Sequence, residues 1–167
     1  MQANCRYGPG TAYLYAHGLY TADTGTVWGR SASGSWLYVN PDGINYGCWV
    51  APSVVDVIGD VMTLRVEPVR LPHSTLYGPP PWVKTVRDGN KVTVNWGRVA
   101  MTEDDDRGYM IEAYVCQNGN LVWMAVQTND TTYTFTDETT CKQKSNGLLY
   151  TVEKHGYTDP IKIPWPK

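Results

Sequence analysis

Apolar and polar residues alternate with a period of two through most of this chain, and no segment carries a sustained 3.6-residue stripe. A period of two puts successive side chains on opposite faces of a strand, so the pattern predicts β structure throughout. Near the start, Tyr13 and Tyr15 alternate with Leu14 and Ala16. Further strands are predicted at Thr26-Val27-Trp28, Trp36-Leu37-Tyr38-Val39, Cys48-Trp49-Val50 and residues 54–58. Turn signals separate them: Asp23-Thr24-Gly25, Ser33-Gly34-Ser35 and Pro41-Asp42-Gly43. In the last of these Pro presets φ and Gly accepts a positive one. Residues 3–61 therefore read as a β-meander.

The texture changes over residues 62–79. Pro68, Pro72, Pro79, Pro80 and Pro81 interrupt any regular element, and the run from Tyr77 to Trp82 marks the best domain boundary. The expected organisation is a first domain over 1–61, a Pro-rich connection over 62–79 and a second domain over 80–167. In that second half, Asp88-Gly89-Asn90 turns the chain into a strand whose Val92, Val94 and Trp96 share one face. Tyr109, Ile111, Ala113 and Val115 line one face of the next, and Asn118-Gly119 is a strong hairpin signal. Strands are expected at 121–127, 132–136, 148–155 and 161–163. Short antiparallel strands at this spacing, with no helix between them, predict a sandwich.

Composition sharpens this picture. The 167 residues include seven Trp and twelve Tyr but one Phe, so most aromatic rings carry a polar tip. A net charge of −2 gives no basis for a nucleic-acid or anionic-membrane partner. No apolar run approaches the roughly 18–20 residues that span a bilayer. The four cysteines, Cys5, Cys48, Cys116 and Cys141, allow three pairings. None forms a Cys-x-x-Cys and none has a His at metal-ligand spacing, which argues against zinc. An even count spread two per half reads better as two disulfides from an oxidising compartment than as four buried thiols. Met1-Gln2-Ala3 leads straight into the first motif, so the expectation is a module taken from a longer secreted or surface chain.

Candidate chemistry is sparse. His17, His73 and His155 are the three histidines, and none stands in a nucleophile or metalloprotease motif. No catalytic residue, metal site or cofactor is expected. Glu103-Asp104-Asp105-Asp106 lacks the alternating carboxylate spacing of a calcium loop and reads as a solvated loop partly neutralised by Arg107. The aromatics of the first half are more informative, because Tyr7, Tyr13, Tyr15, Trp28, Trp36, Tyr38, Tyr46 and Trp49 are too many for so small a core. Some must be exposed, and such a patch either marks a binding face or packs against the second domain and the 62–81 connection. The candidate ligand-binding residues are Tyr7, Tyr13, Tyr15, Trp36, Tyr38 and Trp49.

The first half resembles the bacterial SH3-like domain through Asn4, Arg6, Gly8-Pro9-Gly10-Thr11 and Tyr13, then Val27, Gly29-Arg30, Gly34, Trp36, Val39 and Gly47 with Trp49-Val50. An aliphatic residue usually precedes the Arg in that family, and the late Gly usually abuts the Trp. Both departures here are cysteines. The resemblance therefore implies a small barrel in which Cys5 pairs with Cys48. The second half resembles a fibronectin type III domain through Pro79-Pro80-Pro81 and Trp96, which implies a β-sandwich with Trp96 in its core. Cys116 and Cys141 then close their own loop. The expectation is an all-β protein, a small barrel joined to a sandwich. Its implied role is a non-enzymatic module of a bacterial surface or secreted protein, engaging cell-wall glycan, peptide or another surface protein. A structural, self-assembling unit is the alternative.

Overall fold

In the computed structural model, which describes residues 2–167, the protein is all-β, with two single-turn 3-10 segments, Pro52–Val54 and Val61–Thr63, as its helical content among the described residues. The chain divides into two compact units, Met1–Leu71 and Pro72–Lys167.

The N-terminal unit is one antiparallel sheet of β1 (Ala3–Arg6), β2 (Tyr15–Leu19), β3 (Gly25–Arg30), β4 (Leu37–Pro41) and β5 (Cys48–Val50), in the order β2-β1-β5-β4-β3. Alternation along β4 and β5 sends Leu37, Val39, Cys48 and Val50 to one face, where they bury with Cys5. The Cys5–Cys48 disulfide lies in that core. Residues 54–58, expected as a strand, are not one: Pro52 opens a 3-10 turn and the segment pairs with no neighbour. Its apolar alternation still works for burial, since Val55 and Val57 pack on the core while Val54 and Ile58 face out. Residues 65–67 add a short parallel bridge to β3, in which Arg30 N donates to Arg65 O and Glu67 N to Arg30 O.

The C-terminal unit contains two sheets. One has the order β10 (Thr132–Thr136), β7 (Lys91–Trp96), β6 (Val83–Asp88). The other runs β12 (Gly156–Tyr157), β11 (Asn146–Glu153), β8 (Asp106–Gln117), β9 (Asn120–Thr128), and β13 (Ile161–Lys162) also pairs with β11. Val92, Val94, Trp96 and Phe135 from the first sheet meet Tyr109, Ile111, Ala113, Val115 and Leu149 from the second in one dry core. Trp96 packs edge-on against Tyr109 with centroids 5.5 Å apart, and it is core, as its position predicts. The strand expected over 148–155 ends at Glu153, because Lys154 and His155 form the turn into β12. His73 bridges β12 from residues before the sandwich, so the Pro-rich stretch contributes to both units.

The second disulfide, Cys116–Cys141, closes a loop at the end of β8. Beside it lies Asp137, fully buried yet well supplied with donors. Its carboxylate accepts from Cys116 N at 2.8 Å, Trp165 Nε1 at 2.9 Å and the Ser145 hydroxyl, and it pairs with Arg87 Nη2 at 2.5 Å. Burial alone would raise the Asp137 pKa, but the Ser145, Cys116, Trp165 and Arg87 donors outweigh it and hold the carboxyl below its ordinary value.

Candidate functional site

The opening turn explains why Tyr13 is where it is. Tyr7 N donates to Leu14 O, Tyr13 N to Gly10 O, and Arg6 Nη1 to Tyr13 O at 2.7 Å. The Tyr13 ring lies over Gly8, where a Cβ would stand 2.2 Å from a ring carbon. Only glycine admits that approach. Tyr13 is buried and offers no face to a ligand; it is the plug of the Gly-Pro-Gly turn.

The face of the sheet opposite the disulfide carries an aromatic row. Tyr38 and Trp49 are register partners on β4 and β5, with ring centroids 5.3 Å apart. Trp28 joins them from β3, 6.1 Å from Tyr38. It occupies a bulge, since Val27 pairs with Val39 and Gly29 with Tyr38. Trp28 is 44 % exposed. Gly47 lets the Tyr38 ring close down, for a Cβ there would meet it at 2.4 Å. Trp49 is buried behind this row, so of the two only Tyr38 retains access to solvent.

The remaining candidates separate. Tyr15 is exposed on β2, at the far end of the strand order from β3, and its hydroxyl accepts from Gln2 Nε2 at 3.4 Å. Exposed Tyr46 donates to Ala16 O at 3.4 Å, also beside β2. Tyr7 and Trp36 are half-buried. The six predicted residues thus divide among a plug (Tyr13), a propped row (Tyr38 over Trp49) and a β2 patch (Tyr15), with Tyr7 and Trp36 between exposure and core. Trp28, one of the first-half aromatics named from the sequence, joins this face although the six candidates do not include it, and alternation after core-packed Val27 turns it outward.

A second aromatic pair lies in the C-terminal unit. Tyr114 and Trp123 are cross-strand partners on β8 and β9, 4.8 Å apart and exposed by 43 % and 36 %. The acidic run also takes definite form. Asp105 is tied by Thr102 and Tyr77 hydroxyls and pairs with Lys154 Nζ at 3.0 Å. The expected neutraliser, Arg107, donates instead to the Asp106 carbonyl. Among the described residues, one group of potential metal ligands converges: Asp105, Glu153 and His155, with ligand atoms all within 4.8 Å of one another. No helix among the described residues is long and apolar enough to cross a membrane. No protein-family model matches this sequence, and no curated protein matches it.

Proposed function

We propose that the protein is a non-catalytic binding module of a bacterial surface or secreted protein, taking cell-wall glycan or peptide on the aromatic row of its N-terminal unit. One observation carries this reading: Trp28 and Tyr38 stand partly exposed and tilted against each other, with Tyr38 backed by the buried Trp49, so two aromatic rings and a hydroxyl tip share one face. Such rings offer large apolar contact at low entropic cost. Two disulfides fit an oxidising compartment, and the two-sheet order of the second unit supports its resemblance to fibronectin type III. A glycan array and a pulldown with isolated cell walls test the reading. Retention of the folded chain on either supports it, and failure on both, with a peptide library also blank, overturns it.

A self-assembling surface unit is the second reading, and β9 favours it. This strand ends its sheet's order and runs for nine residues, Asn120–Thr128, without a charge or a proline. Edge strands of that length are usually guarded by such residues. Concentration-dependent light scattering separates the readings, since a strict monomer that binds cell walls fits only the first.

A further inference from the structure

We propose that Asp105, Glu153 and His155 form a site for a divalent first-row transition ion such as Zn²⁺. The ligands come from separate segments, the loop before β8 for Asp105 and the end of β11 with its following turn for Glu153 and His155, which is why no single sequence spacing announces all three. His155 Nδ1 lies 3.0 Å from Glu153 Oε2. Tetrahedral ligands about 2.1 Å from one ion stand roughly 3.4 Å apart, so this hydrogen-bonded pair needs only a small opening to share a cation. No ligand pair in the trio exceeds 4.8 Å, within reach of a side-chain rotation at Asp105.

An independent feature points to a cation. The Glu153 side chain is 1 % exposed, and its Oε1 is buried with no hydrogen-bond partner. The Ser74 side chain interacts with this carboxylate, and Oε1 still has no partner at full hydrogen-bond distance and angle. Buried charge of that kind is costly unless a cation or further donors meet it.

Lys154 is the present counter-charge, 3.0 Å from Asp105 Oδ1 and 41 % exposed on a flexible stem. An incoming ion displaces this ammonium and takes the carboxylate. The His155 ring, 67 % exposed, moves its proton to Nε2 and presents the Nδ1 lone pair. One imidazole with two carboxylates suits Zn²⁺, Mn²⁺ or Ni²⁺ better than Ca²⁺, which prefers six or more oxygens.

Isothermal titration of the full chain with ZnCl₂ tests the site, with CaCl₂ as comparison and circular dichroism as the check on folding. The expected result is one Zn²⁺ per chain at micromolar affinity or tighter, with Ca²⁺ far weaker. His155→Ala and Asp105→Asn should each weaken binding by more than about tenfold, the loss typical even of a ligand's outer partner. Lys154→Met should tighten it, because the competing ammonium is gone. His17→Ala and His73→Ala should leave it unchanged. Absence of Zn²⁺ binding, equal affinity for Ca²⁺, full affinity in His155→Ala, or loss in His17→Ala or His73→Ala would each overturn the assignment.

Discussion

The two units close their cores by different means. In the N-terminal unit the disulfide is part of the core: Cys5 and Cys48 bury with Leu37, Val39 and Val50, ringed by half-buried residues such as Leu19, Val27 and Val55. In the C-terminal unit, residues such as Val92, Trp96, Ile111, Phe135 and Leu149 form a larger apolar core, and Cys116–Cys141 lies outside it beside the Asp137 network. A domain of about 60–70 residues is marginal on burial alone. Covalent closure therefore substitutes for burial in the first unit and braces an end in the second. Exposed rings do not distinguish the units: Trp28, Tyr15 and Tyr46 are left outside in the first, and Trp82, Tyr114 and Trp123 in the second.

The largest effect that could break this comparison comes from the bridges. Their loops span 43 and 25 residues, so chain entropy alone assigns them about 4 and about 3.5 kcal/mol. Those values nearly coincide, and context decides the outcome. Cys5→Ser with Cys48→Ser also leaves two hydroxyls in an apolar core, so this variant should lose amide-exchange protection in β1, β4 and β5 at 37 °C. Cys116→Ser with Cys141→Ser should keep protection in β7, β8 and β11. The opposite ranking would mean that the second core depends on its bridge.

Asp137→Ala ranks next. It strands Arg87 in a partly buried site and removes the acceptor of Cys116 N, Ser145 and Trp165, so the C-terminal unit should lose about 3 kcal/mol by urea unfolding. The N-terminal transition should not move. Gly8→Ala is the matched change in the first unit. With a Cβ 2.2 Å from the buried Tyr13 ring, it should cost roughly 1–3 kcal/mol through overpacking, while Gly78→Ala, with open space around it and no positive φ, should be near neutral. A Gly8→Ala effect as small as that of Gly78→Ala would mean that the ring moves aside freely.

Acid sharpens the contrast with a smaller effect. The native Asp137 pKa is depressed from 3.8, so its contribution is fully present above the ordinary carboxylate range and fades as pH falls through the native value. Urea midpoints should therefore fall for the C-terminal unit as pH drops from about 5 toward 3, and Asp137→Ala should flatten that slope. An unchanged slope would locate the acid sensitivity in other carboxylates.

Much of this was legible in the sequence. Alternation over 91–96 and 109–115 predicted both inward faces, and the cysteine departures at positions 5 and 48 predicted the first bridge. Turns written in Pro, Asp and Gly carry their own geometry, so the strand ends between them were readable. Features set by register were not. The bulge at Trp28, with Val27 opposite Val39 and Gly29 opposite Tyr38, depends on partner residues in another strand. Tyr13 and Trp49 read as stacking faces because alternation says which side a ring takes but not what lies over it. Residues 54–58 have the pattern of a strand and no partner to pair with, and Asp105 meets Glu153 and His155 only through the fold.

The central claim is that ligand recognition belongs to the N-terminal row and not to the equally aromatic C-terminal pair. Affinity of two folded double variants for one cell-wall preparation tests it most directly: Trp28→Ala with Tyr38→Ala, against Tyr114→Ala with Trp123→Ala. Truncated aromatic anchors each cost above ~1 kcal/mol, so the first variant should bind at least roughly tenfold more weakly and the second like the parent chain. Normal binding by the first and loss by the second would move the site to β8 and β9 and contradict the account.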